Sequence, residues 1–375
     1  MIFLWEHFCR HKPMIPEGTV DTSALNDHII VTTEKLKSLI EEDPSNFRKM
    51  QIDTRYQLTF SPDFNETVNA CLYESSMCNM YGLQYYIMYS FIIPLLIKEN
   101  IHDIKLLSLG CGSMIDGLSL SLVLKGYGDS FNVKYTGVDI AEWPFVFDLP
   151  FETEFIKKSI QDYWKDCRTF DGNVIFFPTV LSGLHEYPDE TGILCRGIEE
   201  TQFLSDTICL MISYRSIASF NKDWQVTDWQ KAQRIISALE RKGYAIEDLP
   251  LSVPDAWKPY FHSEKVENDE GRKWFRHYIA PPVGRVEIKQ IAPDFAPPAF
   301  AREYLAEPGY ARKSCPYYMR RREQYLSRNP RISPGEEKPE TVCRQQCPIM
   351  CNIYPRIYYT QRKSSCFQLF VLRRS

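Results

Sequence analysis

Apolar positions along this chain change period several times, and each change marks an element. Over residues 24–41, Leu25, Ile29, Ile30, Leu36 and Ile40 recur on one helical stripe, and a turn-rich stretch follows at 43–46. Residues 80–97 then run 18 positions without a charge, which by length alone is a membrane-span candidate. Gln84, Pro94 and four tyrosines interrupt that run, and a strand-like segment follows within a dozen residues, so the pattern predicts a buried helix feeding a sheet. Strands are predicted at 104–109, 133–138, 154–160, 173–177, 207–213 and 245–249. Helices are predicted at 118–125, near 198–204 and at 229–242, the last stopping at Gly243. Strands separated by helices, with central strands reading as continuous apolar runs, predict an α/β doubly wound, mostly parallel sheet. Prolines crowd 250–298, and basic residues and tyrosines dominate 301–339, so an irregular Pro/Cys-rich insertion is expected before a last strand at 367–373 that rejoins the core. The expected organisation is a helical N-terminal cap (1–100), a core (101–250), the insertion (251–365) and the terminal strand (366–375).

Composition changes this picture in two places. The net charge of −4 divides unevenly: residues 301–375 carry 15 Lys/Arg against 6 Asp/Glu, a net of +9, which leaves 29 basic and 42 acidic residues, −13, for residues 1–300. Five of the 12 cysteines (Cys315, Cys343, Cys347, Cys351, Cys366) fall in the same basic stretch. The opening apolar run, residues 2–5, is too short for a signal peptide. The expectation is a cytoplasmic, reducing setting in which clustered cysteines bind metal or stay as thiols.

The sharpest local signal is Leu109-Gly110-Cys111-Gly112-Ser113, a strand followed by Gly-x-Gly and a helix start. Glycines there permit a tight turn and close approach of a ligand to the backbone, although a tight turn alone accounts for such a motif as well. A dinucleotide fingerprint needs a third Gly or Ala at position 115, which is Ile115, so nicotinamide and flavin dinucleotides are disfavoured. Tyr135-Thr136-Gly137-Val138-Asp139 ends the next strand on a carboxylate, able to accept both hydroxyls of a ribose or to cap its own loop. Asp162 follows the third strand, as an adenine contact or as part of a helix cap. No P-loop sequence occurs, and Asp116, Asp139 and Asp162 would repel a phosphate ligand.

In these residues the chain resembles the class I S-adenosylmethionine-dependent methyltransferases, over residues 81–249 and the final strand. The carriers are Gly110-Cys111-Gly112 for the glycine loop, Gly137-Val138-Asp139 for the ribose-binding acid, and Gln161-Asp162 for the adenine end. The resemblance implies a Rossmann-like core and S-adenosylmethionine as donor, transferred by in-line attack on the sulfonium. Ser108 stands where the family has an acid for the methionine amino group, and Met114 where it has a third glycine; Asp116 is the candidate replacement carboxylate. The acceptor, a small molecule or RNA, is expected at the loop 177–187, which lacks the Asn/Asp-Pro-Pro-Tyr/Phe element of the amino-methylating nucleic-acid enzymes. His185 and Glu186 in that loop are the candidate general base, against a solvent-facing turn or helix start.

Cys315, Cys343, Cys347 and Cys351 are candidate ligands for zinc or an iron–sulfur cluster, the alternative being reduced structural thiols. With the Cys-Pro steps at 315 and 347 and Thr360-Gln361-Arg362, they also resemble the methyltransferase-like proteins of mitochondrial small-ribosomal-subunit assembly. Arginines and tyrosines around them suit contact with RNA, or a basic face that pairs with the acidic body. Two functions from different classes follow. One is the methyltransferase; the other is a non-catalytic RNA- or ribosome-associated factor on the same fold.

Overall fold

The computed structural model describes residues 67–144, 146–184, 189–214, 227–248, 251, 261–267, 271–279, 286–287, 316–336, 358–359 and 365–375, with nine isolated positions between 27 and 42. These fall into two compact units. One takes in the described positions of Thr22–Asn79 and Val283–Gln361, the other those of Met80–Pro282 and Arg362–Ser375.

The continuous apolar runs of the second unit become parallel strands covered on both faces. These are β1 (Asp103–Leu109), β2 (Asn132–Asp139), β3 (Glu152–Lys157), β5 (Val174–Pro178) and β7 (Thr207–Tyr214). β5 is buried throughout and β7 after its first residue, whereas β3, at the sheet edge, has no fully buried position. The order β3-β2-β1-β5-β7 places β1 at the centre, with the chain winding outward from it in both directions. β13 (Ser365–Arg374) then returns antiparallel to β7, from Cys366 opposite Tyr214 to Arg373 opposite Thr207. Its other edge pairs with β8 (Tyr244–Asp248) and with β10 (Lys273–Ile279), and β9 (Phe261–Glu267) closes the nine-stranded sheet. The fold is thus α/β, doubly wound and Rossmann-like, with a mostly parallel sheet, and the last strand rejoins it.

Alternation along the strands sorts the two helical layers. Phe176 meets Tyr85 and Tyr89 of α1 (Thr67–Lys98), and α2 (Ile115–Leu124) joins α1 through the Ser119 hydroxyl on the Gly82 carbonyl at 2.9 Å. Ile175 and Phe177 face the other way, into the core formed by α3 (Ile160–Asp166), α4 (Glu190–Glu200) and α5 (Asp228–Arg241). Two short ladders stand apart, β4 (Thr169–Phe170) with β6 (Gln202–Phe203), and β11 (Val286–Glu287) with β12 (Tyr358–Tyr359).

Several boundaries depart from expectation. Ile160 opens α3 instead of ending β3, because Ser159 supplies an N-cap that accepts from the Asp162 amide. The helix near 198–204 starts earlier, at Glu190, with Asp189 as its N-cap. Residues 261–267 and 273–279, expected in the irregular insertion, form the antiparallel pair β9 and β10, and residues 316–328 form helix α6 (Pro316–Arg328). Residues 80–97 are helical within α1, and among the described residues no helix is long and apolar enough to cross a membrane.

In the first unit the Glu74 carboxylate is buried and sits 2.6 Å from His28 Nε2, and the Thr32 hydroxyl donates to the His28 carbonyl.

Candidate functional site

In an open α/β sheet the crevice for a ligand opens where neighbouring strands lead away in opposite directions, at their carboxyl ends. Here that place is between β1 and β5, and Gly110-Cys111-Gly112 is the chain leaving β1. Gly110 has φ +79°, and a Cβ on it would stand 2.4 Å from Cγ2 of Val180, the residue after Thr179 in the loop leaving β5. Glycine is required there by both conformation and contact. Gly112 has φ +56°, and Met114 has φ +66° immediately before α2. The backbone at 114 therefore takes the left-handed turn that glycine favours, and the side chain is buried.

Four of the loop's amides are spent internally. Those of Gly110 and Cys111 donate to the Val138 carbonyl (2.7 and 3.2 Å), that of Met114 to the Cys111 carbonyl (2.9 Å), and that of Gly112 to Asp139 Oδ2 (2.9 Å). The Ala141 amide donates to Asp139 Oδ1, also at 2.9 Å. Asp139 is 9% exposed, and burial raises its pKa while the Ala141 and Gly112 amides pull it back. The Trp143 side chain and the Ile140 amide act on the carboxylate in the same direction, so protein donors reach it from the glycine loop and from the chain that follows β2. The next residue, Ile140, is 69% exposed, an isolated apolar side chain beside the carboxylate. The chain then folds back across the glycine loop: the Trp143 ring lies 3.4 Å from where a Gly112 Cβ would stand, and the Phe147 amide donates to the Ser113 carbonyl at 3.3 Å.

Gly110, Cys111, Gly112 and Asp139 are thus brought together. Cys111 is buried, and burial, with Asp139 and Asp116 nearby, pushes its thiol well above the usual range, so it is not a nucleophile at neutral pH. Asp116 lies beneath the loop, 1% exposed, with the Tyr135 hydroxyl donating to its Oδ1 at 2.9 Å. Burial pushes its pKa up to about 6, with the Ser108 and Tyr135 hydroxyls acting the other way. Asp162 is exposed at the start of α3, where the Ser159 hydroxyl donates to its Oδ2 at 2.7 Å and its own amide donates back to Ser159 Oγ at 3.0 Å.

Leaving β5, Thr179 has φ +54° and its amide is shared between the Phe177 and Ser213 carbonyls, both at 3.1 Å. Its hydroxyl is 3.3 Å from that of Tyr85, and the Gln84 amide nitrogen donates to Ser213 Oγ at 2.5 Å. A 3-10 turn follows at Leu181–Gly183. His185 and Glu186 lie outside the described residues, as do Cys315, Cys343, Cys347, Cys351 and Thr360-Gln361-Arg362. Among the described residues no group of three or more His, Cys, Asp or Glu is arranged to hold a metal ion, and Cys71, Cys111, Cys167, Cys195, Cys209 and Cys366 are free thiols.

Sequence reasoning passed over Ile140, Trp143, Tyr85 and Lys231. Ile140 carried a readable signal, an apolar residue directly after a strand-ending carboxylate. The other three read as ordinary core or surface positions, because their partners are distant in sequence.

No protein-family model matches the chain, and no curated protein matches it. Among solved structures the chain is similar to the citrinin polyketide synthase CMeT domain, at 16% identity over 59% of this chain and 65% of that one, with a TM-score of 0.34. It therefore spans less than two thirds of that domain's length. It is similar also to the plantazolicin methyltransferase BpumL in complex with SAH, at 12% identity over 90% of this chain and 100% of that one, TM-score 0.34. A third is MNMC2 from Aquifex aeolicus, at 14% identity over 50% of this chain and 57% of that one, TM-score 0.29.

Proposed function

We propose that this chain is an S-adenosylmethionine-dependent methyltransferase. The observation that carries the reading is what stands at the switch point: a glycine loop with four committed amides, next to a strand-ending carboxylate that an exposed apolar side chain follows. The amides of Gly110, Cys111, Gly112 and Met114 are already committed, so the loop offers no such cradle for a phosphate. Asp139 places a carboxylate at the end of β2, held by the Gly112 and Ala141 amides, and Ile140 presents apolar surface beside it. A ligand suited to that pair has vicinal hydroxyls and a flat ring but no phosphate, and a positive charge is favoured by the carboxylates of Asp139 and Asp116.

When bound, the donor supplies an electrophilic sulfonium methyl group. Asp139 would accept from the ribose hydroxyls and Ile140 would pack on the base. Asp116, through Ser108, would supply the negative charge that the family carries at position 108. The loop leaving β5 would hold the acceptor in line with the methyl, and alignment of this kind supplies most of what such a transfer requires.

Calorimetry with S-adenosylmethionine on the whole protein tests the reading. The expected result is saturable binding by the wild type, no binding of a nicotinamide dinucleotide, and at least about tenfold weaker donor binding by Asp139→Ala, the loss of a pair of hydrogen bonds to a charged group. A folded wild type that does not bind the donor overturns it. Binding with no methyl transferred to any component of a cell extract would favour the non-catalytic factor.

A further inference from the structure

Lys231 is a lysine on the core-facing side of α5 and is only 4% exposed. Its ammonium donates to the carbonyls of Leu181 at 2.9 Å and Leu184 at 2.7 Å, with Asp228 Oδ1 4.0 Å away. Burying an ammonium is costly, and an apolar residue of the same length would fill the space at lower cost. What the charge does hold is the 3-10 turn Leu181–Gly183 and the residue after it, through the carbonyls of Leu181 and Leu184.

The opposite end of the same short segment is fixed to the glycine loop. Val180 occupies the space that a Gly110 side chain would take, and Thr179, in its left-handed conformation, is held by Phe177, Ser213 and Tyr85. Six residues, 179–184, therefore run from the donor loop to α5, pinned at both ends, and residue 184 immediately precedes His185 in the sequence.

We infer that Lys231 is a positioning residue: its ammonium fixes the loop leaving β5 so that Val180 supports Gly110 from one side while the following residues face the acceptor. This rests on the methyltransferase reading for what the loop serves, though not for the anchoring itself. A charge serves better than an apolar side chain because it sets the direction of two carbonyls, not only the volume between them.

The test uses Lys231→Met and the double variant Lys231→Met/Asp228→Asn, which avoids leaving the Asp228 carboxylate beside an apolar side chain. Hydrogen exchange is read at the amides of Gly183 and Leu184, which donate to Val180 and Leu181, with the Cys209 amide of β7 as internal reference. Expected are cooperative unfolding, exchange at 183 and 184 at least about tenfold faster, an unchanged Cys209, and donor affinity about tenfold weaker in calorimetry. A merely structural lysine would lower the melting temperature and leave the affinity of the folded protein alone. Unchanged exchange at 183 and 184 in a folded variant overturns the anchor. If the wild type itself binds no donor, the methyltransferase reading fails, and the exchange data still decide the role of Lys231.

Discussion

Asp116 shows how far a residue's chemistry departs from its sequence label. In the sequence it is an acid just beyond the glycine loop, the candidate replacement for the carboxylate that Ser108 lacks. In the structure it is a carboxyl enclosed by Ser108, Tyr135 and the α1 tyrosines, and burial raises its pKa to about 6. The sign of the consequence follows directly. The folded-state pKa lies above that of the unfolded chain, so the ionised form is the disfavoured one on folding. The penalty is absent near pH 4, grows as pH rises through the folded pKa, and is full above it. Asp116→Asn keeps an acceptor for the Tyr135 hydroxyl and removes the charge. It is expected to stabilise the protein at pH 7.5 by on the order of 2–3 kcal/mol, and the gain should shrink towards zero as pH falls to about 4. Denaturant unfolding across that range checks this, and a gain independent of pH would contradict it. That the wild type keeps a destabilising charge beside the glycine loop fits a residue retained for binding.

Helix α5 presents the same question for an element. Its end at Gly243 is legible in the sequence, and its core face of Ala232, Ile235, Ile236 and Leu239 follows from period alone. Its start lies one residue before the predicted Trp229 because Thr227 and Gln230 form a reciprocal cap: the Gln230 amide donates to Thr227 Oγ1 at 3.2 Å, and the Thr227 amide to Gln230 Oε1 at 2.9 Å. Thr227→Ala is expected to cost about 1 kcal/mol in thermal unfolding. Because Lys231 sits one turn inside, exchange at 183 and 184 should rise by less than in Lys231→Met. The elements that escaped sequence reading share a cause. β9 alternates half-buried Phe261, Glu264 and Val266 with exposed polar residues at the sheet edge, so no continuous apolar run announces it. α3 is only seven residues long, and Ile160 continues the apolar spacing of Phe155 and Ile156 until the Ser159 cap ends it. The parallel core was readable because burial on both faces demands apolar runs; the glycine loop and Asp139 were readable because turn chemistry and strand ends are local. The Lys231 anchor and the Tyr85 contact were not, since each joins residues separated by about fifty positions or more.

For the whole molecule, the uneven charge takes on a different meaning once β13 is placed. Among the described residues beyond position 300, Arg373 pairs with Glu99 and Glu247 of the acidic body, and Arg374 with its Asp206. These pairs are partly exposed and worth little individually. The contribution of the segment lies instead in the buried run Cys366–Leu372, which occupies the middle of the sheet and gives β7 a partner along nearly its whole length. A strand whose partner lies some 150 residues earlier completes the fold from its last residues, so the sheet cannot close on local contacts alone. A chain ending at Ser364 would leave β7, β8 and β10 each with an unpaired edge and would expose their shared core. We expect it to lose cooperative thermal unfolding altogether, while the full chain carrying Arg373→Ala and Arg374→Ala should keep it with a change of no more than about 1 kcal/mol per pair. Circular dichroism melts of the two proteins separate the alternatives: a truncated chain that still melts cooperatively within a few degrees of the wild type would mean that β13 covers the sheet without being needed to form it.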